Sequence, residues 1–146
     1  MKADGLGPPS LAGTELLAVM EPRDDVMCQV RTILDRIGDK WSLAVVGELG
    51  PGPRRFTELK QGIPGISQRM LTATLRGLER DGLLVRTVFA VVPPRVDYEL
   101  TALGRTLLRA VLPLTAWARE HVHDVTESRT QYDSRLPDDE PPARAR

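Results

Sequence analysis

The stretch TELKQGIPGISQRMLTATLRGLERDG, Thr57 to Gly82, decides the predicted fold. Its pattern predicts a short helix, Glu58–Gln61, then a glycine-containing turn and a longer helix, Gln68–Arg80. Thr57 and Ser67 stand where N-caps belong, since their hydroxyl oxygens can accept free backbone N–H groups. A short helix, a turn and a second helix form a helix-turn-helix pattern, which many helical hairpins also show.

The longer helix has two chemically different faces. Leu71, Leu75 and Leu78 recur at i, i+4 and i+7, so they lie on one side of the helix. The other side carries polar and small residues: Gln68, Arg69, Thr72, Ala73, Arg76 and Arg80. A leucine-anchored helix with arginine, glutamine and threonine outward suits a DNA groove. A solvated surface helix is the alternative for this segment alone.

Two predicted strands follow this pattern. Leu83–Val92 is β-branched and apolar, Pro93-Pro94-Arg95 predicts a stiff turn, and Val96–Leu100 alternates as a second strand. Two antiparallel strands after a helix-turn-helix are typical of a winged helix, so we predict a mainly α fold with a small β-wing. Arg95 in the turn is a candidate for contact with a minor groove or its phosphates. A plain surface arginine is the alternative.

Flanking helices complete the prediction. Val26–Ile37 reads as a helix that Gly38 ends in a left-handed conformation, and Asp39 then caps a helix over Lys40–Leu49. Arg55-Phe56 suggests a very short strand.

Thr101 caps a final helix that runs from Ala102 to about His121. A heptad-like 4-3-4-3 seam follows it: Leu107, Val111, Leu114, Ala118 and His121. One apolar face of this helix can rest on the domain, and the other needs a partner. We therefore predict a homodimer through the terminal helices.

Charge is distributed unevenly along the 146 residues. The formal net charge is zero, but residues 31–121 carry 14 Lys and Arg against 9 Asp and Glu. We predict a flexible N-terminal arm over 1–25, a winged helix-turn-helix domain with its dimerisation helix over 26–122, and a disordered acidic, proline-rich tail over 123–146. The basic centre is the part that can face phosphates.

Several function classes lack support in the sequence. The one cysteine, Cys28, excludes an intrachain disulfide and is typical of a reducing cytoplasm, where we expect the protein. We recognise no metal-ligand set, phosphate-binding glycine loop or catalytic constellation, so we expect no metal, no cofactor and no enzyme. We also see no signal peptide and no apolar run of membrane-spanning length.

The ordered motifs resemble the HxlR-type transcriptional regulators, relatives of the MarR group, over roughly Cys28 to Val122. The motifs that carry the resemblance are Cys28, Arg31-Thr32-Ile33-Leu34, Ile37-Gly38-Asp39-Lys40-Trp41, Arg55-Phe56-Thr57-Glu58-Leu59, Ile63-Pro64-Gly65-Ile66-Ser67-Gln68-Arg69-Met70-Leu71, Leu75-Arg76, Leu78-Glu79, Gly82-Leu83, Pro93-Pro94-Arg95-Val96-Asp97-Tyr98, Leu100-Thr101 and Leu103-Gly104.

The resemblance implies a dimeric winged-helix protein that regulates transcription from a palindromic operator, as repressor or activator, and we expect a repressor. Several such regulators sense oxidants or electrophiles through a cysteine near the first helix, which corresponds to Cys28. This chain has Gln29 where the family usually has proline after that cysteine.

We accordingly assign roles on double-stranded DNA. Ser67, Gln68, Arg69 and Thr72 are expected to contact base edges or phosphates, with arginine favouring guanine and glutamine favouring adenine. The expected phosphate contacts are Arg76, Arg55 and Lys60, and Arg95 is expected in the minor groove.

Two alternatives remain at the level of sequence. One is a winged-helix module that binds an acidic protein partner. The other is a regulator triggered by a small apolar ligand at the dimer interface, near Trp41 and Trp117.

Overall fold

The computed structural model describes residues 25–135 as a helical fold with one small sheet. Its elements in chain order are α1 Asp25–Gly38, α2 Lys40–Glu48, β1 Arg54–Arg55, α3 Phe56–Gly62, α4 Gln68–Arg80, β2 Leu84–Phe89, β3 Arg95–Leu100 and α5 Ala102–Asp133. The sheet is antiparallel in the order β1-β3-β2. The predicted winged helix-turn-helix is confirmed. Of the arm predicted over residues 1–25, residues 1–24 lie outside the described residues, as do the last tail residues, 136–146, and Asp25 begins α1.

The core lies between the helix-turn-helix and the sheet. Three leucines of α4, Leu71, Leu75 and Leu78, pack there against side chains from α2 and its C-cap, α3 and both long strands. These partners are Val45, Val46, Leu49, Leu59, Leu84 and Leu100. Leu71 and Leu78 are fully buried. The predicted leucine face of α4 is therefore confirmed, and it fixes which side of α4 faces outward.

Both ends of α4 coincide with the prediction. The Ser67 hydroxyl oxygen accepts the Met70 backbone N–H at 3.1 Å. Asp81 is the C-cap, and Gly82 follows with φ +74°, a conformation that glycine adopts without a Cβ clash. Local chemistry thus sets the length of α4.

The first helix ends at Gly38 as predicted, but the predicted left-handed conformation of Gly38 and the predicted cap of α3 are wrong. Gly38 does not have a positive φ. The chain leaves the helical conformation at the next residue, Asp39, whose backbone is extended and which caps α2. Thr57 does not cap α3. The Glu58 carboxylate accepts the Arg55 backbone N–H at 2.8 Å, so α3 begins at Phe56 and Thr57 lies inside its first turn.

The wing strands are shorter or shifted relative to the prediction. β2 covers Leu84–Phe89 instead of Leu83–Val92, because the chain folds back after Phe89 with the Val91 N–H donating to the Phe89 carbonyl at 2.9 Å. Prolines 93 and 94 cannot donate to a ladder. Arg95 is the first residue of β3 and does not lie in the turn. The very short strand predicted at Arg55-Phe56 is shifted by one residue, to Arg54–Arg55.

The final helix is longer than predicted. It was expected to end at about His121, with a disordered tail from residue 123, but α5 continues to Asp133. Residues 124–133 contain no proline or glycine, and the Thr126 and Thr130 hydroxyls bond back to carbonyls four residues earlier. Their polar composition therefore reflects an exposed helix.

The C-terminal end of α4 is a junction for the flanking helices. The Arg36 Nε of α1 donates to the Asp81 carboxylate at 2.8 Å. The Thr101 hydroxyl donates to the Gly82 carbonyl at 2.6 Å and accepts the Gly104 N–H at 3.1 Å, which caps α5. Gly104 is buried against the Leu83 backbone, where a Cβ would collide with the carbonyl oxygen.

Candidate nucleic-acid interface

The outward face of α4 and the wing form one open cleft of about 420 Å³. Gln68, Thr72 and Arg76 line it from α4, and Arg86 and Tyr98 line it from β2 and β3. Arg69 lies beside Gln68 and Thr72 in a neighbouring hollow on the helix surface. The structure thus brings together four of the predicted DNA-contacting residues on one exposed surface.

The hydroxyl groups of Thr72 and Ser67 on this surface differ in the hydrogen bonds that they can still form with DNA. The Thr72 hydroxyl donates to the Gln68 carbonyl at 2.8 Å, so its oxygen remains available as an acceptor. The Ser67 oxygen accepts the Met70 N–H, which leaves its own O–H free to donate. Ser67 lies at the positive end of the helix dipole, a setting that favours phosphate.

The wing arginine is held by a neighbouring carboxylate. Arg95 Nε and Nη2 each donate to Asp97 at 2.9 Å, and the guanidinium lies 5.3 Å from the centre of the Phe89 ring. These two bonds leave other N–H groups of the guanidinium for a DNA contact. Arg95 is therefore oriented along the strand, not extended freely from a turn.

This pairing shifts the pKa of both groups. The hydrogen bond from Arg95 holds the pKa of Asp97 below its ordinary value, and the charge of Arg55 acts in the same direction. The hydrogen bond to Asp97 raises the pKa of Arg95. The pair therefore remains ionised at neutral pH.

An Asp97→Asn variant is expected to be less stable than the wild type at neutral pH. The pKa of Asp97 is lower in the folded protein than in the unfolded chain. The contribution of Asp97 to the free energy of unfolding is therefore full above the unfolded-state pKa, and it is lost as the pH falls through the folded-state pKa. Thermal unfolding of both proteins from about pH 7 to about pH 3 should show the difference shrinking on the acid side. A difference that stays constant over this range would contradict the ion pair.

The remaining predicted phosphate contacts are separated. Arg55 and Arg95 line a second hollow of about 370 Å³ together with Glu58 and Asp97. Two carboxylates there partly offset the arginines. Lys60 is exposed on α3 and lines neither the cleft nor this hollow. Arg55 and Lys60 thus present separate positive charges around the helix-turn-helix.

Two basic residues near the interface were missed as candidates. Arg86 points into the cleft from β2, opposite Tyr98 in the sheet register, and Arg54 of β1 pairs with Tyr98 on the other side. The sequence does indicate Arg86, because it is a charged residue within an apolar, β-branched strand. Strand alternation places Arg86 on the same face as the buried Leu84, which is the face toward α4.

The other candidate groups lie away from the cleft. Cys28 is exposed on α1. Trp41 packs against the core, whereas Trp117 stacks on His121 along α5 with ring centres 5.0 Å apart. Within residues 25–135 no group of three His, Cys, Asp or Glu side chains is arranged to hold a metal ion, and no helix is long and apolar enough to cross a membrane.

The profile of the HxlR-like helix-turn-helix family matches residues 36–126, which span α2 through most of α5. This chain belongs to that family. The Bacillus subtilis HTH-type transcriptional regulator YdeP is 46% identical to it over 94 residues, which cover 64% of this chain and 73% of YdeP. The match confirms the resemblance found in the sequence.

Solved structures of similar transcriptional regulators agree with this fold. The transcriptional regulator YtfH from Salmonella typhimurium superposes with a TM-score of 0.64 at 34% identity, over 68% of this chain and 89% of that one. The redox regulator HypR in its reduced form gives a TM-score of 0.62 at 44% identity, over 68% and 98% of the two chains. The protein is a transcriptional regulator of the helix-turn-helix type.

Proposed function

We propose that this HxlR-like protein is a sequence-specific repressor that binds a palindromic operator as a homodimer. The observation that carries the proposal is the orientation of α4. Leu71, Leu75 and Leu78 are buried, so the opposite face presents its polar side chains beside the wing. A helix exposed in this way is of the right width for a major groove.

The roles on DNA follow from the position of each side chain along α4. Gln68 and Arg69, in the first turn, read base edges by bidentate hydrogen bonds. Arg76, two turns further along, holds a phosphate at the edge of the groove. Arg86 faces the same cleft from the wing and adds a second positive charge there for a phosphate.

The remaining basic residues position the domain on the duplex. Lys60 and Arg55 contact phosphates from α3 and its N-terminal end. Arg95, oriented by Asp97, reaches the minor groove beside the wing. Phosphate contacts such as these give affinity without sequence information.

The dimer is supported by apolar surface that one protomer does not cover. Leu107 packs against the core and Val111 is buried, so these two positions of the predicted seam are already used within the protomer. Leu114 is 55% exposed, and Ile33 on α1 is 59% exposed. We infer that a second copy covers these faces and sets the two α4 helices about one DNA turn, roughly 34–36 Å, apart.

The test is selection of bound duplexes from a random library, followed by footprinting. Two protected half-sites about 10 base pairs apart, related by two-fold symmetry, are the expected result. Salt-sensitive binding without any enriched sequence would reject the specific operator. Binding to an acidic protein with no affinity for duplex would favour an interaction module.

We further propose that oxidation of Cys28 controls DNA binding. Cys28 is exposed on α1, and the similar HypR is a redox regulator with structures in oxidised and reduced forms. The chain has no other cysteine, so a disulfide must join two chains or include a small thiol.

Diamide treatment is expected to change operator affinity of the wild type and to leave the Cys28→Ser variant unchanged, because the variant has no thiol to oxidise. Band-shift titrations before and after treatment measure the change, and non-reducing gels show whether two chains are joined. Equal responses of the two proteins would end the redox proposal and leave the operator proposal intact.

A further inference from the structure

The second half of α5 has no partner within the protomer. From Leu112 to Asp133 every residue is exposed except His121, which is half-buried. Several large apolar side chains are among them, including Leu114, Trp117 and Tyr132, with 55%, 55% and 64% of their surface exposed. Most helical stability in proteins comes from packing of an apolar face, so this face needs cover.

The heptad spacing of the predicted seam continues beyond His121. Val125, Ser128 and Tyr132 extend the 4-3 alternation to the last turn of α5. From Arg119 onward the outward heptad positions are all polar: Arg119, Glu120, His123, Thr126, Glu127, Thr130 and Asp133. This two-faced pattern is typical of a coiled-coil strand.

We propose that the segment Leu114–Tyr132 forms a parallel two-stranded coiled coil with the same segment of a second copy. The inference rests on the homodimer proposed above and assigns the orientation and register of one part of it. The HxlR-like match ends at residue 126, so the layers at Ser128 and Tyr132 lie beyond the part that this chain shares with the family profile.

Charges on either side of the seam, within the segment, favour the parallel orientation. With Val125 at heptad position a, Asp124 falls at g and Arg129 at e, five residues later. In a parallel coiled coil each g residue faces the e residue five places on in the partner helix, which pairs Asp124 with Arg129 of the other copy. Neither side chain makes an ion pair within residues 25–135. An antiparallel pair would place e opposite e and g opposite g.

Polar layers in the seam fit a role in register. His121 and Ser128 occupy d positions of the seam. We assign them the aligning role that a polar residue at an a position has in other coiled coils, where it specifies register at a cost in stability. The His121 ring is ordered, since Nδ1 lies 2.9 Å from the Trp117 carbonyl oxygen and the ring stacks on Trp117. The second ring nitrogen is left for the partner helix. The coiled coil is thus a short aligning element that adds to the interface at α1.

Disulfide trapping tests the orientation directly. In a Cys28→Ser background, Val125→Cys is expected to form a disulfide dimer on mild diamide treatment, because position a meets its own counterpart across a parallel seam. His123→Cys, at the outward position f, is the matched control and should remain largely monomeric on a non-reducing gel. Equal cross-linking of the two variants would overturn the parallel coiled coil.

Charge exchange tests the proposed pairing. Asp124→Arg and Arg129→Asp are each expected to weaken dimerisation by about five-fold, since each dimer loses two exposed pairs and gains repulsion. The double exchange should restore the wild-type dimer constant in sedimentation equilibrium. A double variant weaker than either single variant would overturn the pairing.

DNA binding by the reduced variants separates this inference from the proposed function. Two-fold footprints without selective cross-linking at position 125 would reject the coiled coil and retain the operator-binding dimer. Selective cross-linking without any duplex binding would retain the coiled coil and reject the operator.

Discussion

Replacing Arg69 with alanine is expected to relax sequence preference at one position in each half-site. A bidentate arginine–guanine contact contributes about 1–3 kcal/mol of discrimination, which corresponds to about 5- to 150-fold in relative affinity. Arg69 is exposed in the first turn of α4, beside Gln68, so its loss should not disturb the buried leucines. Band-shift titrations of the selected operator and its single-base variants, at one salt concentration, measure the change.

Lys60→Ala is the matched control for this prediction. Lys60 is an exposed cation on α3, outside the cleft, and a phosphate contact there carries no sequence information. Its loss should weaken all sequences similarly and lower the slope of log affinity against log salt by about one. A uniform loss for Arg69→Ala as well would assign Arg69 to a phosphate.

Gly104→Ala is expected to destabilise the fold by about 2–3 kcal/mol. The new methyl group would meet the Leu83 carbonyl oxygen, a backbone atom that cannot rotate away, at the point where α5 crosses the start of the wing. Thermal unfolding at a fixed protein concentration should show a decrease in Tm of about 5–10 °C.

Gly47→Ala, at another helical glycine, is expected to stabilise the protein. No heavy atom lies within 4 Å of a Cβ built at Gly47, which is exposed on α2. Alanine there should stabilise the protein by about 0.5–1 kcal/mol through helix propensity. If Gly104→Ala behaved in the same way, the close approach of α5 to Leu83 would be incorrect.

The elements that the sequence predicted well are those set by local chemistry. The bounds of α4 follow from a serine cap, a leucine repeat and Gly82, all within one short segment. The Asp39 cap of α2 is confirmed for the same reason, since its carboxylate accepts the Trp41 and Ser42 N–H groups.

The misplaced features depend on competing or distant partners. Thr57 does not cap α3, because the Glu58 carboxylate accepts the Arg55 backbone N–H and the helix begins before Thr57. The pairing of Arg95 with Asp97 needed the exact start of β3, because only within a strand do residues two apart share a face. The length of α5 was underestimated because an exposed helix and a disordered tail have similar polar compositions.

The junction at the end of α4 has a mechanical consequence. Both flanking helices attach there, α1 through Arg36 and Asp81 and α5 through Thr101 and Gly82. The side chains proposed to read bases lie at the opposite end of α4. α4 has 13 residues, which makes it about 20 Å long. A tilt of about 10° at this pivot would displace the reading end by about 3 Å, close to the rise of one base pair. In the proposed dimer, a small shift at this junction would therefore change the distance between the two reading ends by enough to mismatch them with the half-sites.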